Sequence, residues 1–414
     1  MSDRDNLSRD YDITIIGGGM VGISLALLLA QQQRWKIAIL ESQPLQDNLP
    51  PQYSPSFDAR CTALSWSSRN ILQTMGIWEQ VQQQASAIST IHVSDRGHMG
   101  LSRIDASEAG VEALGYVVEN SWLGAVLLDR LANTDISLQG AVEIQSIRPT
   151  ADAMQITVDI EGSGQTINSK LLVIADGAES QSAQILGIQQ HSKAYGHSAI
   201  IANISLQQPH KAVAYERFTD CGPMALLPLS DFENCPRSAL VWTQPTEVAQ
   251  SLMAEDDETF LNALQDRFGD RLGPFTQMGK RAIYPLALTT SEEQVRRRLV
   301  VVGNAAHSLH PVAGQGFNLS LRDVATLASC LANGAENADV GALDQLQQYQ
   351  QQRATDQRNT LLFTDNLSKL FSLSSPLVAL GRNSGLLLMD LVPALRKQFA
   401  YFGMGSTPSE GDYG

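Results

Sequence analysis

Runs of apolar residues long enough to cross a membrane are missing from this chain. A spanning helix needs about 20 of them. The richest stretch, "GLLLMDLVPAL" at residues 385–395, is short and is broken by Asp390 and Pro393. Cysteine is scarce as well. The four present (Cys61, Cys221, Cys235, Cys330) form no CxxC pair, which argues against a disulfide framework or a zinc site and for a reducing compartment. Positive charge is short too: 29 Lys and Arg stand against 43 Asp and Glu, a formal net charge of −14. That balance argues against nucleic acid as a partner and against electrostatic docking to anionic lipid. The opening "MSDRDNLSRD" lacks the apolar core of a secretory leader and the acid-poor, Arg-rich character of a transit peptide. A cytoplasmic protein is expected. No GxSxG elbow marks a hydrolase nucleophile.

The 414 residues are too many for one simple core, so two domains, or one large α/β unit with an inserted domain, are expected. The fold opens at "YDITIIGGGMVGISLALLLAQQQRWKIAILES", residues 11–42. A buried strand leads through Gly17-Gly18-Gly19-Met20-Val21-Gly22 into a helix and on to a second strand that ends at Glu41. This is the dinucleotide fingerprint. Gly17 permits a tight turn, Gly19 lets backbone approach a pyrophosphate at the positive helix end, and Gly22 lets helix and strand pack closely. Glu41, about 20 residues on, is placed to accept ribose hydroxyls without a 2′-phosphate, as in NAD or FAD.

Two further loops follow. "VIADGAES" (173–180) closes an apolar strand at Asp176-Gly177; alone it signals only a turn. "GNAAHSLHPVAGQGFNLSLRDV" (303–324) follows the β-branched run "RRRLVVV" and enters a helix, with Gly303, Asn304, Pro311, Gly314, Gln315, Gly316 and Asn318 at the entrance. Such a loop suits an anionic or flat ligand. His307 and His310 have HxxH spacing, but no Cys or acidic cluster accompanies them, so a structural loop is expected rather than a metal site. Between these loops, "AIIANISL", "AVAYERF", "MALLPL" and "SALVWT" predict a separate sheet on the substrate side. "ARCTALSWSSRNILQTMGIWEQV" (59–81) predicts a helix, and the chain after Val324 is helical in pattern to about Ala400. The last residues, "GSTPSEGDYG", predict a disordered tail.

The triple of GxGxxG, "DG" and "P…GQGxN", in that order, resembles the single-component FAD monooxygenases of the p-hydroxybenzoate hydroxylase type. The likeness covers nearly the whole chain. "FDARCTALS" (57–65), "HVSDRGHMG" (92–100), "AYERFTDCGPMALLPLS" (214–230) and "GKRAIYPLALT" (279–289) are most similar to the ubiquinone-biosynthesis hydroxylases, and among these to the 2-octaprenyl-6-methoxyphenol hydroxylases. The resemblance implies a Rossmann-like α/β FAD-binding domain (1–82, 112–190 and 280–340), an interleaved β-sheet substrate domain (83–111 and 191–279) and a helical C-terminal region (341–405) before the tail (406–414). It implies FAD, with NADPH or NADH and O2 as co-substrates, and hydroxylation of a polyprenylated phenol through a C4a-hydroperoxyflavin. The first loop would hold the AMP half, the last loop ribitol and flavin, and Arg60 would reach the FAD. Asn304 stands where the family has Asp, Ala183 where it has Arg, and Ala125 where it has Gln. Tyr215 and Arg217 are the catalytic candidates on the substrate sheet.

The competing readings are a sister enzyme acting at another ring position and a non-catalytic prenyl-binding protein of the same fold. A prenyl tail needs apolar delivery. A homo-oligomer, or docking of the apolar stretch around Leu386, Leu387, Leu388 and Leu391 onto a quinone-synthesis assembly at the inner membrane face of a bacterium, is the partner expectation.

Overall fold

The computed structural model describes residues 8–45, 60–96, 101–309, 314–335, 338–372, 400–401 and 403–405. Pro311, the docking stretch around Leu387 and Leu391, and the tail lie outside the described residues.

The first of three sheets has eight strands. Its centre is parallel: Ser8–Ile16 lies between Ser163–Ile174 and Ile37–Leu40, with Leu299–Val301 and Ser137–Gln139 outside them. Ile15 faces Val173 on one side and Ile39 on the other. The strands are apolar at successive positions because both faces are covered. Ile13, Ile15, Ile39, Val173 and Val300 pack under helices Met20–Ala30, Asn120–Ala132 and Gln315–Ala332. Ile16, Leu40, Leu172, Ile174 and Val301 face the other core, with the strands at 142–149 and 154–160.

The second sheet has nine strands. Its main path runs Ala282–Ser291, Gln190–Leu206, Cys235–Pro245, Gly222–Phe232, Val213–Thr219, Thr90–Asp95 and Leu101–Asp105. All these neighbours are antiparallel except Val213–Thr219 with Thr90–Asp95. One expected boundary is corrected here. Residues 280–340 were assigned wholly to the FAD-binding domain, yet Ala282–Ser291 pairs with Gln190–Leu206, and His307–Ser308 with Ala282–Ser291. The chain thus finishes the second sheet before returning to the first.

A third sheet has three strands, Cys61–Ser65, Gly115–Glu119 and Ser86–Ile88, and the first of them lies where the sequence pattern predicts helix. The helix begins only at Trp66, after Ser65 caps it by accepting from the N–H of Ser68. The preceding "CTALS" extends instead because Gly115–Glu119, buried along its whole length, offers it a ladder.

Two buried polar assemblies tie these layers together. Arg237 of the second sheet meets Glu119 of the third at 2.6 Å, both almost wholly buried. The second assembly centres on Asp323, which has no exposed surface. It accepts from His307 Nε2 at 2.6 Å and from Arg353 Nε at 2.6 Å. Asp356 then binds both Arg353 and Arg322. His307 therefore anchors its loop to helices 315–332 and 343–372; no metal-ligating cluster exists among the described residues.

Burial pushes the carboxyls of Asp323 and Asp356 up. Their partners outweigh it (His307 and Arg353 at Asp323, Arg322 and Arg353 at Asp356), and both end below the usual range. Acids with depressed folded pKa values stabilise the fold above their unfolded pKa, near 4, and that contribution is lost as pH falls through the folded values. Melting temperature should therefore drop on acidification below about pH 4. Arg353→Met, which strips Asp323 of its cation, should cost about 3–5 kcal/mol at neutral pH and flatten that acid limb, as measured by urea unfolding across pH.

Candidate active site

The site is built around the N-terminus of the helix Met20–Ala30. Gly17 has φ of +111°, and a Cβ there would lie 2.4 Å from the carbonyl oxygen of Ala175 and 2.9 Å from the N of Asp176. The first glycine turn thus rests directly on the "DG" turn. A Cβ on Gly22 would lie 2.0 Å from the oxygen of Gly17, so close packing of helix on strand requires glycine. Gly303 closes the ring from a third direction: a Cβ there would sit 3.2 Å from Val21. Gly314, at the helix entrance, lies against Ala63, 3.1 Å from where its Cβ would be. Segments near residues 17, 176 and 303 are thereby brought together on one helix end, and Gly314 joins the strand after Arg60.

What this cradle leaves open matters as much. Nothing lies within 4 Å of a Cβ on Gly19 or Gly177, and only Leu309, at 3.8 Å, approaches one on Gly316. Backbone there is bare to a ligand. Asp176 is held by Ser182, whose N–H donates to Oδ2 at 3.1 Å, while Oδ1 is buried without a partner. An unpartnered buried carboxylate oxygen is costly unless a ligand hydroxyl or N–H completes it. Glu41 takes the Gly18 N–H at 2.7 Å on Oε2 and the Gln43 N–H at 2.9 Å on Oε1. Backbone fixes its carboxylate beside the first turn, with lone pairs left for ribose. The cradle therefore fits a dinucleotide whose pyrophosphate meets the helix end. Asn304 is exposed, Gln315 is buried in the first helical turn, and Arg60 donates to the Tyr284 hydroxyl at 3.1 Å.

Two expectations change. Asn318, expected at the cofactor, makes its bonds within the protein: Oδ1 accepts from Ser65 N and Ser68 Oγ, and Nδ2 donates to the carbonyls of Ala63 and Gly314. Its two acceptor and two donor positions are all used, so it shapes the loop rather than touching a ligand. Tyr215 and Arg217 lie on the other face of the second sheet. Alternation along Val213–Thr219 places both with Leu226, Leu240 and Trp242, under the helices 246–254 and 257–268. Tyr215 stacks edge-on against Phe268 at 5.7 Å, and nearby His92 is pushed down to about 4 by burial and by Arg271. These are packing residues of the outer face.

The inner face packs on the third sheet, which carries Ala63 beside Gly314. Ala214, Leu229 and Ala239 pack there with Ile88, Leu114 and Val117, with Cys61 and Trp66 against them. The Cys61 thiol, pushed up to about 12 by burial and then by Glu119, is inert. Beside this cluster runs a strip of partly exposed residues, Ala282, Ile201, Val241, Ala225 and Glu216, in register across five strands. In the middle of a nine-stranded sheet such exposure marks a cleft. Its lining is apolar but for one carboxyl, Glu216, a residue that sequence reasoning passed over.

The FAD-binding domain family matches residues 10–361. The ubiquinone hydroxylase UbiL of Rhodospirillum rubrum is 34% identical over 398 residues, covering 95% of this chain and 90% of that protein. Human ubiquinone biosynthesis monooxygenase COQ6, mitochondrial, is 31% identical over 439 residues, covering 95% and 92%. This chain belongs to the ubiquinone-biosynthesis FAD hydroxylase family. It is an FAD-dependent monooxygenase, with NAD(P)H and O2 as the co-substrates of its class. Among solved structures, p-nitrophenol 4-monooxygenase PnpA from Pseudomonas putida superposes with a TM-score of 0.76 at 15% identity, covering 96% of this chain and 99% of that one. That likeness speaks for the fold alone.

Gly19→Val puts a side chain into open space at ordinary backbone angles, so the variant should fold with near-normal melting yet purify without yellow FAD absorbance. Gly22→Ala should instead lose stability, because its methyl meets the Gly17 carbonyl. Full flavin retention in Gly19→Val would show that the turn is not the pyrophosphate site. Glu41→Ala should weaken FAD binding about ten-fold or more, given that charge-assisted hydrogen bonds contribute about 1.5–3 kcal/mol; titration of apoprotein with FAD measures it.

Proposed function

We propose that this chain hydroxylates the aromatic ring of a polyprenylated phenol during ubiquinone synthesis, and that its substrate is a 2-octaprenyl-6-methoxyphenol. The observation that supports the reading is the largely apolar, partly exposed strip on the inner face of the second sheet, the face that packs on the third sheet, whose Ala63 meets Gly314 of the cradle. Walls of Ala225, Val241, Ile201 and Ala282 suit a mostly apolar substrate, as a prenylated aromatic ring is. FAD, when bound, supplies the oxygen-transfer chemistry. Gly17, Gly19, Asp176, Gly303 and Gly314 would hold it, with Glu41 at the ribose. The protein's own contribution is to hold the ring still beside the cofactor and to keep the cleft dry. The order of the motifs supports the flavin hydroxylase, and the resemblance of the segments 214–230 and 279–289 supports the methoxyphenol substrate; a sister reaction at another ring position is the neighbouring reading.

No helix among the described residues is long and apolar enough to cross a membrane. A polyprenyl tail is too apolar to sit in water, so it would need an apolar escort, from lipid or from a partner that presents the substrate. The non-catalytic reading is opposed by the cradle itself, since a prenyl carrier has no use for an unpartnered Asp176 oxygen at a bare glycine turn.

The purified protein should bind FAD. It should oxidise NAD(P)H faster when given a 2-methoxyphenol bearing a short prenyl tail, with a product 16 mass units heavier by mass spectrometry. A strain lacking the gene should accumulate the unhydroxylated methoxyphenol. Accumulation of a later intermediate would move the reaction to another ring position, and absence of any product would overturn the hydroxylase reading.

A further inference from the structure

Glu216 has no role in the site as described so far, and its surroundings are unusual. It sits in the strand Val213–Thr219, in register with Ala225 on one side and Val93 on the other. Ala214 and Phe218, its neighbours on the same face, are buried. Across the cleft strip lie Val241 and Ile201. Glu216 makes no hydrogen bond or ion pair to any described residue. Asp95 is in register with Phe218, and Arg60 donates to Tyr284 of the strand Ala282–Ser291 at the far side of the strip. Two other acids with little exposed surface are matched: Asp323 has Arg353, and Glu119 has Arg237. A carboxyl left alone among Ala, Val, Ile and Phe side chains, yet open to the cleft, is aimed at something that enters the cleft.

We propose that Glu216 is the carboxylate that receives the substrate's phenolic proton. This rests on the phenol-hydroxylase reading above. In the step, the phenol O–H bond breaks and an O–H bond forms on the Glu216 carboxylate. The oxygen electron pair left behind enriches the ring carbons ortho and para to it, which are the positions an electrophilic oxygen takes. After hydroxylation the proton returns from Glu216 to the product oxygen or to water, so nothing is consumed at the carboxyl.

The energetics favour this residue over an ordinary glutamate. Burial alone pushes the Glu216 carboxyl up to about 7. A phenol near 10 faces a typical carboxylate near 4.3 across roughly six powers of ten in proton affinity, but faces Glu216 across only about three. A base whose pKa lies near the working pH is also the more efficient proton acceptor. Tyr215 and Arg217, on the far side of the sheet, cannot serve.

The test is Glu216→Gln, which keeps size and polarity but cannot take the proton. FAD content should be unchanged. Stability moves in an informative direction. An acid whose folded pKa is raised destabilises the fold at pH above its unfolded value, so Gln should melt at the same or a higher temperature than the native protein at pH 8. A carboxyl with a structural hydrogen bond would give a drop instead. Turnover of the prenylated methoxyphenol should fall by roughly 10²-fold or more, and the rise in rate through about pH 7 should vanish. With a ring-fluorinated analogue acidic enough to be ionised already, the loss should shrink to a few-fold. Native-like turnover in Glu216→Gln with the pH limb intact would overturn the proposal. So would an equal loss on both substrates or a fallen melting temperature. Failure of the hydroxylase reading would look different: the native protein itself would form no product from any prenylated phenol.

Discussion

The carboxylate of Asp323 is the point on which the late part of the fold turns. Taking an ion fully out of water costs several kcal/mol even after relaxation, so this group persists only with its partners in place. The group and its two partners come from three segments: His307 from the loop, Asp323 itself from the helix 315–332, and Arg353 from the helix 343–372. Fixing one charge therefore fixes the loop, the helix it enters and the helix that backs it. The helix start at Gly314 and Gly316 is then held against Ala63 and Leu309, and Asn318 locks the same turn to the cap of the helix Trp66–Thr74 through Ser65 and Ser68. A glycine loop bare enough to accept a flat cofactor has little stiffness of its own. Here the stiffness is supplied from beneath, by groups that never touch the ligand.

How much of this could be read from the sequence depends on the range of the interaction that decides each residue. The glycine turns are local. Gly17 and Gly22 are dictated by contacts within one β-α unit, and Gly303 by a strand-to-helix turn, so their spacing alone exposes them. Asn318 could not be placed, because its partners at 63, 65 and 68 lie some 250 residues away, and its position in "GQGFN" fits a ligand contact equally well. The strand "CTALS" was hidden for a like reason. Its apolar residues satisfy a helical spacing, and only the distant "GYVVE" supplies the ladder that extends it.

Tyr215, Glu216 and Arg217 show a different kind of limit. The alternation of "AYERF" separates two faces cleanly, Ala214, Glu216 and Phe218 on one and Tyr215 and Arg217 on the other. Sequence pattern says nothing about which face meets the cleft. The aromatic and the guanidinium look like chemistry, and the glutamate looks like a solvated surface. The helices at 246–254 and 257–268 reverse that order by covering the Tyr215 face. Only the structure reveals the small and aliphatic company in register with Glu216, Ala225 and Val93, which does not suit an exposed sheet surface.

The two faces of the second sheet also explain why one set of strands can serve both stability and chemistry. The outer face is filled by Trp242, Phe260, Leu264 and Phe268 and makes a core without any ligand. The inner face is closed at one margin by the cluster around Ala214 and Leu229, and there Arg237 crosses to Glu119 as a buried ion pair. That pair joins the second sheet to the third, which carries Ala63 and so the helix entrance. The outer core and this charged crossing fix the second sheet against the third, and so the strip on the face between them. A partly hydrated carboxyl can then survive between them, because it is not asked to hold the sheets together and its desolvation is borne by a core that is already complete.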